Sequence, residues 1–386
     1  MNMNVKIFCL LSSLFFFFYS CNMETEDNIV RISINPKEVH SAELGDKFTD
    51  IELVRLESSD SVLIGAVYSL ILDGDKVYVL DINTKSAFIF DKTGKSISVI
   101  NNYGQGPNEY LGLSGFHLDK EKNLVLVDNG QKKKHIYTPL GEFVKVEKIP
   151  YSVKSIDYLS DGTEVVVRDM VDSSNPVGHI LNVTTDGGDG YEFLPFVYQS
   201  GSTIFEKNQC VTVAANAFYY NSLSSDTIWK YSDEKLVPQY VIDFQGKGVP
   251  QDVYALGPNK FGEAFYNLIL KGEIAYWPYI TEVSGDKIYV TYVYNKNVCF
   301  CEYDVKSHTA SQFYGPTMGD IMLSELSVGS FYMDNTLCFV LDNYKVSQLD
   351  EGRLEKLRGS YPQIYDVLSK TKLDDNPVLL LVKFKE

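Results

Sequence analysis

The chain has 386 residues, of which 45% are hydrophobic and 13% aromatic, with 27 Tyr and 22 Phe against two Trp. This composition supplies a sizeable core and favours strands over helices. The formal net charge of −16 argues against nucleic acid and anionic lipid headgroups as partners, because both carry negative charge.

The N-terminus has the pattern of an export signal. Lys6 precedes an apolar run, Ile7–Tyr19, that is too short to cross a bilayer and is typical of a signal-peptide core. The run ends in Phe18-Tyr19-Ser20-Cys21, which resembles the lipobox of bacterial lipoproteins, in which the cysteine is lipidated. Ordinary signal cleavage near Cys21 is the alternative.

This pattern divides the chain into three parts. We predict a lipoprotein signal peptide over residues 1–20, an acidic tether and N-terminal strand over 21–50, and one folded domain over 51–386. The predicted location is the cell envelope, as an outer-membrane lipoprotein on either the periplasmic or the surface side. Contact with the membrane is expected only through the lipid on Cys21.

A hairpin unit recurs along the folded part. Each copy has a polar turn followed by an apolar strand, and in the clearest copies a third and a fourth strand follow. Four strands at intervals of about 40–50 residues predict an all-β fold, a six-bladed β-propeller with four-stranded blades. An open pair of β-sandwich sheets would not explain the spacing. The six copies are LDGDKVYVLD (72–81), LDKEKNLVLVD (118–128), LSDGTEVVVRD (159–169), VAANAFYYN (213–221), VSGDKIYVTY (283–292) and MDNTLCFVLD (333–342).

The gap between the fourth and fifth copies is longer than the others. Between Gln251 and Tyr276, the residues Phe261, Phe265 and Leu268 fall at helical spacing. We predict a short helical insertion between blades 4 and 5. Its apolar stripe favours packing against the ring, with a mobile lid as the alternative.

The cysteines of the folded part show no metal-ligand spacing. Cys299 and Cys301 are two residues apart in a strand-like run, so both side chains face the same way. These two residues, with Cys210 and Cys338, are predicted to be small buried hydrophobic residues.

Four stretches carry a resemblance to a known family. They are VRLESSDSVLIG (54–65), YGQGPNEY (103–110), SDTIWKYSDEKLVPQYVIDF (225–244) and DDNPVLLLVKFK (374–385). On these stretches the chain resembles the six-bladed β-propeller lipoproteins of Bacteroides and relatives, which are distantly similar to NHL-repeat propellers. The resemblance implies the fold and the compartment but no established catalytic residues.

In such propellers, the loops between blades and the turns after each second strand share one face around the central channel. The G-x-G-P-x-E-Y loop lies there, and Tyr103, Glu109 and Tyr110 are candidate ligand-binding residues. Gly104 and Gly106 would permit positive φ. Alternatively, Glu109 accepts backbone N–H groups of its own loop, and Tyr110 packs between blades.

A near-ring of polar residues follows the second strands. Its members could collect a calcium ion, or each could cap the turn after its own strand. The capping interpretation is favoured because the ring is too wide for one ion, so no cofactor is predicted, with calcium left open. The members are Asp81, Asp128, Asp169, Asn221 and Asp342.

Aromatic residues near the insertion are the remaining binding candidates. Trp277, Tyr279 and Tyr294 could stack on sugar rings or could belong to blade cores. Tyr292 belongs to the same group. The sequence shows no zinc spacing of histidines and no G-x-S-x-G nucleophile motif.

The sequence supports two alternative hypotheses about function. The first is a lipid-anchored binding module whose loop face holds a glycan, a peptide or an envelope protein. The alternative is a carbohydrate-active enzyme, either a lyase or a calcium-dependent lactone hydrolase. Such lactonases place Glu, Asn and Asp at the inner strands, and Glu109, Asn129 and Asp169 would be the corresponding set here.

Overall fold

Six β-sheets make up the domain. The computed structural model describes residues 29–168, 179–185, 188–195, 211–214, 217–221, 225–254, 256, 258–333 and 335–385. Within these residues the sheets each contain at least four strands, and neighbouring sheets contact one another through their first strands or through a shared core. The predicted six-bladed β-propeller is therefore confirmed.

Three N-terminal strands precede the first complete blade. They are β1 (Val30–Ser33), β2 (His40–Glu43) and β3 (Phe48–Arg55). A 3₁₀ turn at Pro36–Glu38 lies between β1 and β2, and helix α1 (Leu44–Lys47) lies between β2 and β3.

Blades 1 to 3 are antiparallel meanders in which the first strand faces the channel and the fourth lies at the rim. Blade 1 contains β4 (Ser69–Asp73), β5 (Lys76–Asp81), β6 (Ser86–Asp91) and β7 (Ser96–Ile100). Blade 2 contains β8 (Gly115–Leu118), β9 (Leu124–Asp128), β10 (Lys133–Tyr137) and β11 (Phe143–Lys148). Blade 3 contains β12 (Val153–Tyr158), β13 (Glu164–Arg168), β14 (His179–Thr184) and β15 (Gly190–Pro195).

Blades 4 to 6 follow the same plan with additions. Blade 4 contains β16 (Val211–Ala214), β17 (Ala217–Tyr220), β18 (Thr227–Ser232) and β19 (Lys235–Asp243). Blade 5 contains β20 (Ala275–Ser284), β21 (Lys287–Tyr294), β22 (Asn297–Asp304) and β23 (Thr309–Met318), on which β24 (Ile321–Met322) folds back. Blade 6 contains β25 (Ser327–Met333), β26 (Thr336–Leu341) and β27 (Val378–Phe384).

The N-terminal strands extend three of the blades. β3 pairs antiparallel with β27 and supplies the fourth strand of blade 6, so the two ends of the domain share one sheet. β1 lies parallel to β19 at the rim of blade 4, and β2 lies parallel to β23 at the rim of blade 5. We call β1 to β3 the N-terminal strap, because it follows the outer rim of three blades.

The helix predicted between blades 4 and 5 is confirmed. Helices α2 (Gln251–Tyr254) and α3 (Pro258–Lys271) occupy this connection. Phe261 and Phe265 are buried with their rings stacked at 5.5 Å, and Leu268 is half-buried beside them. The apolar stripe of α3 therefore packs on blade 5.

The sequence prediction missed further helices. Helix α4 (Leu323–Leu326) joins blades 5 and 6, and three more helices lie between β26 and β27, namely α5 (Asn343–Ser347), α6 (Glu351–Ser360) and α7 (Pro362–Leu368). Leu357, Ile364 and Leu368 are buried in the core shared by blades 5 and 6. Among the described helices, none is long and apolar enough to cross a membrane.

The core consists of separate apolar layers between neighbouring blades. Between blades 1 and 2, for example, Tyr78 and Ile89 pack against Leu126 and Tyr137. Cys299, Cys301 and Cys338 are buried with free thiols, and their burial raises the pKa of each. Cys210 lies outside the described residues.

Candidate functional site: the loop face

One end of the ring carries all connections that follow second and fourth strands, because strands alternate in direction within each blade. We call this end the loop face. Contacts between the two kinds of connection hold it together. Asn129 of blade 2, for instance, exchanges two hydrogen bonds of 2.8 Å with the backbone of Val153 at the start of blade 3. Asn129 thus links two blades.

Asp81 and Asp128 each fasten two loops. Both are completely buried at the end of a second strand. One carboxylate oxygen of Asp81 accepts the N–H groups of Gly65 and Ala66, in the loop before its blade, at 2.7 and 3.2 Å. The other oxygen accepts the N–H groups of Asn83 and Thr84, in the turn after β5, at 2.8 and 3.2 Å.

Asp128 repeats this arrangement one blade further on. One of its oxygens accepts the N–H groups of Leu111 and Gly112, and the other accepts the N–H group of Gln131 at 2.9 Å. Buried backbone N–H groups need acceptors, and these two carboxylates supply them. Their hydrogen bonds match the turn-capping interpretation of the near-ring.

The other near-ring residues have similar roles. Asp342 accepts the N–H group of Lys345 and caps α5, while the side chain of Asn221 donates to the carbonyls of Ser225 and Thr227. Asp169 lies outside the described residues, as does Cys21. In the part of the chain that the structure describes, no three His, Cys, Asp or Glu side chains are grouped closely enough to hold a metal ion.

Glu109 folds back over its own loop. Its carboxylate accepts the N–H group of Gly106 at 2.7 Å. A Cβ atom at Gly104 would lie 2.0 Å from the same carboxylate oxygen. Gly104 and Gly106 would permit positive φ, but neither residue adopts it. Gly104 is needed because the Glu109 carboxylate occupies the space of a side chain.

Tyr110 is inaccessible to a ligand. It is completely buried between blades 1 and 2, where its hydroxyl donates to the carbonyl of Lys85 at 2.9 Å and accepts the N–H group of Asn102 at 3.0 Å. Burial raises its pKa. Tyr110 therefore packs between blades, which is the alternative that the sequence left open.

Tyr103, in the same loop, is accessible to a ligand. Its side chain is 51% exposed, and the Lys85 ammonium lies 3.4 Å from the centre of its ring. Leu111, which is 47% exposed, belongs to this loop as well. We call Lys85, Tyr103 and Leu111 the Tyr103 patch. The sequence analysis did not name Lys85 as a binding residue. Its position four residues after Asp81, in the turn that Asp81 caps, already placed it on the loop face.

Trp277 has an unusual backbone conformation. It lies in a β-bulge of β20, between the pairs Tyr276–Val293 and Tyr279–Thr291, with a φ of 58°. Its indole packs against the α2–α3 insertion, and its buried Nε1 has no hydrogen-bond partner among the described residues. Tyr279 and Tyr294 are half-buried, and Tyr294 packs in a different core layer. The three residues therefore do not form one exposed stacking surface.

Asp226 is a loop-face carboxyl that the sequence did not single out. It lies just before β18, and burial, followed by the nearby charge of Asp243, raises its pKa to about 6. Carboxyl groups with raised pKa are common in active sites. However, no group of three or more His, Cys, Asp or Glu side chains that could hold a metal ion includes Asp226 among the described residues.

A small cleft opens between α4, α5 and α6. Its volume is about 180 Å³, which is below the range of about 300–1,000 Å³ usual for small-molecule sites. Arg353 at its wall binds Glu325 with distances of 3.0 and 3.2 Å, and Lys345 donates to the carbonyl of Ser327 at 2.8 Å. These charges are already paired within the fold.

Comparison with known proteins shows the family of the chain. A family model described as a domain of unknown function, DUF4934, matches residues 28–383. The chain belongs to this family. No curated protein matches its sequence.

Two crystal structures show what this DUF4934 protein is similar to. A Bacteroides fragilis protein named for its expected export has 20% identity and a TM-score of 0.72, covering 92% of this chain and 100% of that one. A member of the DUF4221 family from Bacteroides vulgatus has 11% identity and a TM-score of 0.50, covering 88% and 98%. At these identities the likeness concerns the fold alone.

Proposed function

We propose that this DUF4934 protein is an exported binding module of the cell envelope, anchored by lipid on Cys21, whose loop face binds a glycan carrying carboxylate groups. The net charge of −16 opposes long-range attraction of such a glycan, so binding depends on the local positive charge of Lys85. The observation that carries the proposal is the Tyr103 patch. The Lys85 ammonium lies over one face of an exposed ring, so the patch offers an aromatic surface and a positive charge to the same ligand.

The use of the carboxylates supports binding over catalysis. Asp81, Asp128 and Glu109 accept backbone N–H groups of their own loops. A general acid or base must instead have a carboxylate oxygen within hydrogen-bond reach of the substrate, so that it can transfer a proton. Because these three carboxylates already accept hydrogen bonds within the fold, the groups left to contact a ligand near residues 101–113 are the exposed aromatic, apolar and amino groups of the Tyr103 patch.

Calorimetric titration tests the proposal, with polygalacturonate as the carboxylated glycan and dextran as the uncharged control. We expect the protein to bind the first and not the second. Tyr103→Ala should weaken binding about tenfold or more, since it removes the stacking surface. Lys85→Met should weaken binding to the carboxylated glycan because it removes the charge.

Tyr344→Ala is the matched control, because Tyr344 is another exposed loop-face tyrosine, 63% exposed, in blade 6. This variant should bind like the wild type. Equal loss in the Tyr103 and Tyr344 variants, or binding only of acidic peptides, would reject the glycan proposal. If the glycan is cut into shorter products after incubation with the protein, the protein is an enzyme and not a binding module.

A further inference from the structure

The outer edge of blade 2 is an uncovered strand. β11 is the last strand of its sheet, whereas the rims of blades 4 and 5 are covered by β1 and β2. Exposed apolar side chains accompany this edge: Leu140, Phe143 and Val144 are 58%, 39% and 45% exposed. An uncovered edge with apolar neighbours is a surface on which another strand can pair.

The register of β10 and β11 shows which backbone groups are free. The N–H group of Ile149 donates to the carbonyl of Lys132 at 2.9 Å, and Lys133 lies opposite Lys148. Hydrogen-bonded and non-hydrogen-bonded pairs alternate in an antiparallel ladder. The N–H and C=O groups of Val146 therefore point away from β10, as do those of Lys148, whereas a bulge opposite Ile136 and Tyr137 interrupts the alternation before Lys145.

The charges of β11 are self-complementary about Val146. Lys145 and Glu147 flank it on one face of the sheet, and within one chain their side chains lie 2.7 Å apart and half-exposed. In an antiparallel pair centred on Val146, Lys145 would lie directly opposite Glu147 of the partner subunit, and the reverse pair would form as well. Opposite charges at facing positions stabilise strand pairing, and like charges oppose it.

We propose that the outer edge of β11 is a homodimer interface, in which β11 of two copies pair antiparallel about a two-fold axis at Val146. Such an isologous contact uses the same surface of both subunits and closes without further growth. The interface is one strand pair with flanking apolar side chains, so the dimer is weak, with a dissociation constant in the micromolar to millimolar range. The two loop faces point in opposite directions.

Sedimentation of the purified protein over a concentration series tests this interface. The wild type should show a monomer–dimer equilibrium. Val146→Pro should raise the dissociation constant about tenfold or more, because it removes an outward N–H group that β10 does not use. Its circular dichroism spectrum and melting temperature should stay close to those of the wild type.

A charge exchange tests the register independently of folding. Lys145→Glu places like charges opposite each other and should weaken the dimer, whereas the double variant Lys145→Glu, Glu147→Lys restores complementarity and should restore it. Lys306→Glu, which reverses one member of the exposed Lys306–Asp286 pair at a turn of blade 5, is the control and should not change association. A wild type that stays monomeric at every concentration, or a double variant as weak as the single one, would overturn the proposal.

Discussion

At the scale of single residues, several polar groups of this ring are buried without an ion-pair partner. Asp157 on the channel strand β12 is an example, since burial raises its pKa to about 7. His117 on β8 is buried too, and burial, assisted by Lys134, lowers its pKa well below 6.5. These two residues make opposite contributions to stability as pH changes.

We predict that Asp157→Asn stabilises the protein above pH 7. The pKa of Asp157 is about 7 in the folded state and about 3.8 when unfolded, so the wild-type folded state holds a proton that the unfolded state loses. The resulting penalty appears as pH rises above 3.8 and is complete above 7. Asp157→Asn should therefore raise the free energy of unfolding by about 1–3 kcal/mol at pH 8, and less at pH 4.5.

Urea denaturation at both pH values measures this effect. The exposed Asp75, which pairs with Lys76, provides the control, because Asp75→Asn removes only a surface ion pair. An equal change for Asp157→Asn at both pH values would mean that packing, and not protonation, is responsible.

At the scale of elements, the N-terminal strap is the feature that departs most from a simple repeat. β1 and β2 add to rims formed by residues about 200 to 280 positions later in the chain. Ile32 and Ile34 are completely buried in the layer between blades 4 and 5. The strap therefore supplies core as well as backbone pairing.

We predict that Ile32→Ala lowers the free energy of unfolding by about 2–5 kcal/mol, because it leaves a cavity in this layer. Arg31→Ala on the same strand is the matched control. Its ion pair with Asp243 is 67% and 36% exposed, so the loss should stay below about 1 kcal/mol. Guanidinium denaturation of both variants measures the difference, and equal losses would show that β1 does not contribute to the core.

At the scale of the whole molecule, closure of the ring joins the two ends of the domain. β3 pairs with β27 along most of its length, and Val54 and Leu56 pack with Val79, Val340 and Leu379 between blades 6 and 1. Without β3, blade 6 has three strands and this layer loses Val54. Cooperative folding of the ring is therefore expected to depend on β3 more than on β1.

We predict different results for two truncations. A chain that begins at Pro36 lacks β1 and should still unfold in one cooperative thermal transition at a lower temperature. A chain that begins at Leu56 lacks β1 to β3 and should show no cooperative transition, because the ring is not closed. Differential scanning calorimetry distinguishes these results, and equal melting temperatures would reject a closing role for β3.

The sequence by itself determined the repeated part of this protein. Each predicted hairpin corresponds to the first two strands of a blade, because alternating apolar residues and polar turns are local signals. The α3 helix was predictable for the same reason, since its apolar stripe lies within fourteen residues. The polar α6 offers no such stripe, with Leu357 as its buried residue, and was missed.

Only the tertiary structure decided what each loop-face residue does. The sequence placed Tyr103 and Tyr110 in one loop, but their exposure differs because Tyr110 enters the layer between two blades and Tyr103 does not. The parallel pairing of β1 and β2 depends on distant partners that leave no local pattern. Local periodicity thus determines strands and turns, whereas the contacts between blades determine which side chains remain free to bind.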